Sequence, residues 1–303
     1  MEPESFPLVD AIDHEILMHR DAHFGGLFPI MIDYYKNEGK GVQPEFDIAR
    51  IERLQAIEEQ LKENAAALFL ASDEMEKVAD SREAYQKFRS IYEIKNPKSQ
   101  HPKLIADLIL SEDLEGDAEV AAVAAEKGAI VPALIELLRK EEFYDPLFPG
   151  YGMAPALIVR ALEKIGDKRS IIALFESIGQ GDFFSDEQIL KALKEIGEPA
   201  KEFLLKVLHG RPFNEDNEKA AIAIIAFKDD PEVAASCLKM LQEPDVLADP
   251  CLPTYLVLAC TGLQGQKQRE QLIALGEKSK SKILEEDIKA VVHTWEGKDN
   301  VKL

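Results

Sequence analysis

Basic side chains are scarce relative to acidic ones in this chain: 36 Lys and Arg face 56 Asp and Glu, a formal net charge of −20. Residues 1–100 carry 12 basic against 20 acidic side chains and residues 101–303 carry 24 against 36, so no basic domain hides behind the average. Affinity for nucleic acid starts with Lys and Arg neutralising phosphates, and anionic membranes attract the same sign. Neither is an expected partner. A basic protein segment is, because an acidic surface speeds encounter with it.

Long apolar runs are missing as well. The longest, Ala220 to Phe227, has eight residues, whereas a membrane-spanning helix takes about 20. The opening residues Met1-Glu2-Pro3-Glu4-Ser5 are acidic, with no basic stretch leading into an apolar one, so no secretory signal is expected. The cysteines, Cys237, Cys251 and Cys260, are odd in number and not spaced like a metal knuckle. There is no Asn-x-Ser/Thr site either, which fits a reducing, cytoplasmic compartment. Gly150-Tyr151-Gly152 and Gly179-Gln180-Gly181 lack the third glycine and preceding strand of a dinucleotide fingerprint, and no P-loop or serine elbow occurs. No cofactor is expected. Strand signals are nearly absent.

What is present is a recurring phrase: a helical stretch ending in Gly or Asp, a tight turn, and a second helical stretch. It runs through 118–128 and 130–140, 155–166 and 169–179, 186–197 and 200–209, 218–229 and 232–242, and 254–265 and 267–278. The turn landmarks Gly128, Gly166, Gly197, Asp229 and Gly265 follow one another at intervals of 38, 31, 32 and 36 residues. A period in the thirties with two helices per unit is the mark of an α-solenoid. Gly166 and Gly197 sit where a helix end needs a left-handed residue. Pro132, Pro155, Pro199 and Pro231 fall in first turns, where a missing N–H is harmless. Ser185 with Gln188 is a capping-box pattern, and residues 285–296 read as a final helix closing the stack.

The wording of three units is similar to a known family. Leu162-Glu163-Lys164-Ile165-Gly166-Asp167 followed by Ile171-Ile172-Ala173-Leu174 resembles the phycobilisome-lyase-type HEAT-like repeat. Leu193-Lys194-Glu195-Ile196-Gly197-Glu198 and Gly128-Ala129-Ile130-Val131-Pro132-Ala133-Leu134 do so too. The resemblance covers residues 103–297. It implies an all-α fold, a right-handed α-solenoid of about five HEAT-like hairpins; residues 1–98 do not share the repeat phrase and read as an N-terminal helical cap or accessory region. Among enzymes with such repeats, deoxyhypusine hydroxylase draws its di-iron site from several His-Glu pairs. Here only His14-Glu15 occurs, outside the repeats, which argues against that activity.

In the first third, residues 8–35 read as helix interrupted at Gly25-Gly26 and Pro29. Residues 46–70 read as one long amphipathic helix, and residues 73–92 as another with Ser72 as its cap. Two sets of candidate working residues follow. The connections leaving the second helix of successive units carry Phe143, Tyr144, Phe148 and Tyr151, then Phe183 and Phe184, then Phe213. Aromatics in such loops often anchor partners, and 141–153 is longer than an ordinary connection. Glu15, His19 and His23 follow an i, i+4, i+8 spacing, so a continuous helix puts them on one face, where imidazole and carboxylate can hold zinc or iron. The expected function is a non-enzymatic scaffold binding a protein or peptide. The alternative is a lyase-like or metal-dependent enzyme subunit acting on a bound small molecule.

Overall fold

The computed structural model describes residues 9–95, 97–112, 115–181, 183–279 and 281–300, without the side chains of 183, 184 and 296–300. The described residues form helices and turns only. None of the helices is long and apolar enough to cross a membrane. Contacts gather residues 1–161 into one compact unit and 162–303 into another, with the division inside a helix.

The first unit holds α1 (Ala11–His23), α2 (Phe28–Lys36), α3 (Ile48–Leu61), α4 (Ala65–Phe69), α5 (Ser72–Ser90), α6 (His101–Leu110), α7 (Asp117–Ala125), α8 (Val131–Leu138) and most of α9 (Ala154–Ile165). α1 begins at Asp10, whose carboxylate accepts from the Asp13 N–H at 3.0 Å while Asp13 accepts in return at 3.1 Å. That reciprocal cap satisfies two otherwise orphaned donors. One face of α1 then buries Ile16 and Leu17 completely against α3, α4 and α5. Each such side chain contributes on the order of 2 kcal/mol of burial. Gly25 and Gly26, both with positive φ, separate α1 from α2, where the sequence expects an interruption.

The single long helix expected over 46–70 is instead two. Lys62 adopts φ 56°, ψ 25°, closing α3 with a left-handed residue, and the Asn64 side chain accepts from the Ala67 N–H at 3.0 Å to start α4. The reason lies in α1. Arg20 is fully buried, and its guanidinium donates to Asp21 at 2.6 and 2.8 Å, to Glu58 at 2.5 Å and to the Asn64 side-chain oxygen at 3.3 Å, over the Phe28 ring at 4.5 Å. Glu58 also accepts from the Ala65 N–H at 2.7 Å. A buried cation is tolerable only when its donors are met, and the break at residues 62–64 supplies one of those acceptors. α5 starts one residue earlier than expected: Ser72, the expected cap, is its first residue, and Glu74 accepts from the Ala71 N–H at 2.7 Å.

The second unit holds α10 (Ile171–Glu176), α11 (Phe183–Ile196), α12 (Glu198–Leu208), α13 (Glu215–Ile224), α14 (Pro231–Met240), α15 (Pro244–Ala248), α16 (Leu252–Ala259), α17 (Gln266–Lys278) and α18 (Lys282–Asn300). α11 packs on α10 and α12, α12 on α13, α13 and α14 on α16, and α16 and α17 on α18. Gly166 and Gly197 both have positive φ, 63° and 77°, as expected for glycine at those turns, but the Gly197 ψ of −133° lies outside the left-handed helical region and places it as the N-cap of α12. Ser185 is not a helix cap, because α11 opens two residues before it; Gln188 instead donates to Glu163. Lys201, 5% exposed, is held by Glu198 and Asp230 at 2.9 Å and Glu232 at 3.0 Å, tying α12 to the start of α14. Trp295 closes the core, donating to the Thr261 carbonyl at 3.0 Å under the Arg269 guanidinium.

Glu58→Ala removes one of the two carboxylates that neutralise the buried Arg20 and the acceptor for Ala65. A loss of about 3 kcal/mol is expected, read as a lower urea midpoint. A loss below about 1 kcal/mol would show that Asp21 suffices.

Candidate functional site

The long segment 141–153 does not project into solvent. Phe143 is 1% exposed and meets Phe88 edge-on at 6.0 Å; Leu147 and Phe148 join the core formed by α1, α3 and α5. The Ser81 hydroxyl donates to the Leu147 carbonyl at 2.6 Å, and Lys77 pairs with Asp145 at 2.5 Å. Tyr144 donates to the Leu138 carbonyl at 3.0 Å. Phe143 and Phe148, two of the candidate binding aromatics, are therefore buried side chains and not surface anchors. Tyr151, at φ 49°, presses its ring against residue 41, where any Cβ would lie 2.1 Å from ring carbon. Only a glycine, itself at φ 74°, fits there. Phe213 lies in the second unit, half-buried beneath the Arg211 guanidinium at 3.8 Å. Phe183 and Phe184 open α11 rather than occupying a loop, and their side chains lie outside the described residues.

Docking of this segment creates two clefts that meet at the histidines of α1. His19 is 5% exposed, with its ring 5.2 Å from that of His23 and 5.0 Å from that of Phe46. His23 in turn lies 5.2 Å from the Tyr85 ring and 5.1 Å from that of Tyr151. His19 lines one cleft and His23 the other. Glu15 lines the His19 cleft. The expected metal set Glu15, His19 and His23 is thus divided between the clefts, and no three His, Cys, Asp or Glu among the described residues are grouped to hold a metal ion.

The first cleft, about 560 Å³, is acidic. Glu15, Glu45, Glu141 and Asp145 surround it, and its one cation, Lys77, is already paired with Asp145. Met18, Phe46 and Leu147 supply an apolar floor around His19. Neither ring nitrogen of His19 has a hydrogen-bond partner among the described residues. Burial, then the neighbouring His23, hold His19 down to about 3 against the opposing pull of Asp145. It is a neutral imidazole at the base of a negative cleft.

The second cleft, about 600 Å³, is walled by aromatic rings, with Phe24 and Tyr34 at 5.3 Å from each other and Tyr85 and Tyr151 beside His23. The Tyr85 hydroxyl donates to Glu112 at 3.1 Å. Burial raises Glu112, opposed by that bond and by Arg89 and Lys40. Burial, then Tyr151 and Glu112, push the Tyr85 phenol far above its ordinary range. His23 is lowered to about 4, chiefly by burial, with the Leu147 carbonyl opposing. Its Nε2 is buried without a partner.

Of the residues lining these clefts, His19, His23, Glu15, Tyr144 and Tyr151 are among those singled out in the sequence. Tyr34, Glu45, Glu112 and Glu141 are not: they come from separate elements, and none belongs to a local motif. The one available signal was the length and aromatic content of 141–153. Compared with protein families, curated proteins and solved structures, the chain matches none.

Both histidines fall below their ordinary 6.5 in the folded protein. The folded state therefore binds fewer protons than the unfolded chain below about pH 6.5. The stability they permit is full above that value and is lost as pH falls toward 4 for His23 and 3 for His19. Each contributes a slope of about 1.4 kcal/mol per pH unit in its window. His19→Leu should flatten the decline of unfolding free energy between about pH 6 and 4 by that amount. An unchanged slope in urea titrations would show that His19 is not held neutral.

Proposed function

We propose that the protein is a non-enzymatic interaction scaffold whose acidic cleft holds a basic segment of a partner protein. The observation that carries the reading is the charge of the His19 cleft: four carboxylates, a single cation already paired, and an apolar floor. Lys and Arg are suited to such a place. Their methylene stems cover apolar surface while their heads reach carboxylates, and the net charge of −20 draws a basic chain toward the whole surface.

The scaffold itself is read as a right-handed solenoid of HEAT-like hairpins. Support comes from the helix pairs at the expected positions and, in the second unit, from the packing of α11 on α12, α12 on α13, α13 and α14 on α16, and α16 and α17 on α18. In such arrays each pair buries its apolar face only against the next. The other reading, a lyase-like or metal-dependent subunit acting on a small molecule, draws only on the second cleft.

A fluorescently labelled octapeptide of alternating Arg and Gly is the direct probe. Binding should be measurable by anisotropy at about 50 mM salt and weaken severalfold at about 300 mM, as surface charges are screened. Glu45→Gln combined with Glu141→Gln should weaken it about tenfold at low salt, through loss of two complementary charges, with circular dichroism unchanged. Equal affinity for the double variant would remove the acidic cleft as the docking site.

A further inference from the structure

The second cleft has the opposite character from the first, and its cations are the clue. In a chain where acidic side chains outnumber basic ones 56 to 36, an arginine ordinarily finds a carboxylate. Arg82 and Arg89 both line the aromatic cleft, and neither has an ion-pair partner among the described residues. Arg82 donates from Nε at 2.9 Å and Nη2 at 2.5 Å to the Asp21 carbonyl, a neutral group that fixes the guanidinium without cancelling its charge. Arg89 lies 5.5 Å from the Tyr85 ring centre and makes no hydrogen bond among the described residues. The two are seven residues apart on α5, hence on one face of the helix.

Two carboxylates share the cleft, and neither forms an ion pair with Arg82 or Arg89 among the described residues, although Arg89 is near enough to oppose the upward shift of Glu112. Glu93 lies three residues beyond the end of α5, without an ion pair among the described residues. Glu112 is engaged by Tyr85 and is raised by its burial. His23 adds a buried Nε2 that has no partner. The volume, about 600 Å³, falls in the range of small-molecule sites, where apolar walls hold the body of a ligand and a few polar groups orient it. Tyrosine and phenylalanine faces suit a flat ring, and guanidinium forks suit carboxylate or phosphate oxygens.

We propose that the cleft between α1, α2 and α5 binds a small organic anion, an aromatic ring carrying a carboxylate or phosphate, with its ring against Tyr34 and Tyr151 and its anionic group on Arg82 and Arg89. This site is independent of the acidic cleft and of the basic segment assigned to it.

The test is calorimetric titration of the full chain with indole-3-acetate and with adenosine 5′-monophosphate, which separate the two anionic groups. Indole, adenosine and inorganic phosphate serve as probes lacking one half of the ligand. At least one aromatic anion should bind with a dissociation constant below about 1 mM, at least about tenfold tighter than its uncharged ring or phosphate alone. Arg89→Gln, at an exposed position without a hydrogen bond, should weaken that binding about tenfold while leaving the urea midpoint unchanged. Arg82→Gln should weaken it as well, and Glu45→Gln in the acidic cleft should not. Binding by neither aromatic anion, binding equalled by the uncharged rings or phosphate, or binding indifferent to Arg89→Gln would each overturn the proposal. If indole-3-acetate alone binds, the group recognised is a carboxylate; if the nucleotide alone binds, it is a phosphate.

Discussion

The first unit depends on where the segment 141–153 goes. A stretch carrying Phe143, Leu147, Phe148 and Tyr151 cannot lie in water without a large apolar exposure, and the core that includes side chains of α1, α3 and α5 takes in two of them. Burying Leu147 and Phe148 there reduces that exposure. The backbone that comes with them must also be satisfied, and Ser81 does so from inside the core. Once the segment is seated, Asp145 and Glu141 face α1 on one side of the histidine pair and Tyr151 faces it on the other. Both clefts are consequences of that one packing event.

The sign of charge then differs from one side of the histidines to the other. Around His19 the carboxylates of three separate elements converge with almost no cation to offset them. Around His23 two arginines stand without an ion pair among the described residues, inside a strongly acidic protein. His19 and His23 are held neutral between these regions chiefly because burial disfavours the imidazolium. A neutral pair neither repels a basic guest on one side nor attracts an anion through its own charge on the other, so selectivity rests with the flanking carboxylates and guanidiniums.

Much of the helical layout was readable because its signals are local. Gly166, Gly197 and the first-turn prolines mark helix ends by backbone conformation alone, and they fall where helices begin and end. The interruption at Gly25-Gly26 is of the same kind. The break between α3 and α4 was not readable, since no Gly or Pro marks it: a lysine takes the left-handed conformation there, and the compensating bonds run to Arg20, more than forty residues away in sequence. The capping-box pattern at Ser185 misled for the complementary reason, because a two-residue match does not exclude a helix that starts one turn earlier.

From the sequence alone came the all-helical character, the paired-helix rhythm and the acidic balance, because helix periodicity, caps and net charge are properties of neighbouring residues or of simple sums. Which aromatics would be buried, which arginines would lack partners and how Glu15, His19 and His23 would be shared between two clefts were decided only in three dimensions. Those outcomes depend on which surface the segment 141–153 covers, and no local pattern in the sequence specifies that surface. The long segment that first drew notice for its length and its aromatic residues supplies, in the folded chain, walls of both clefts.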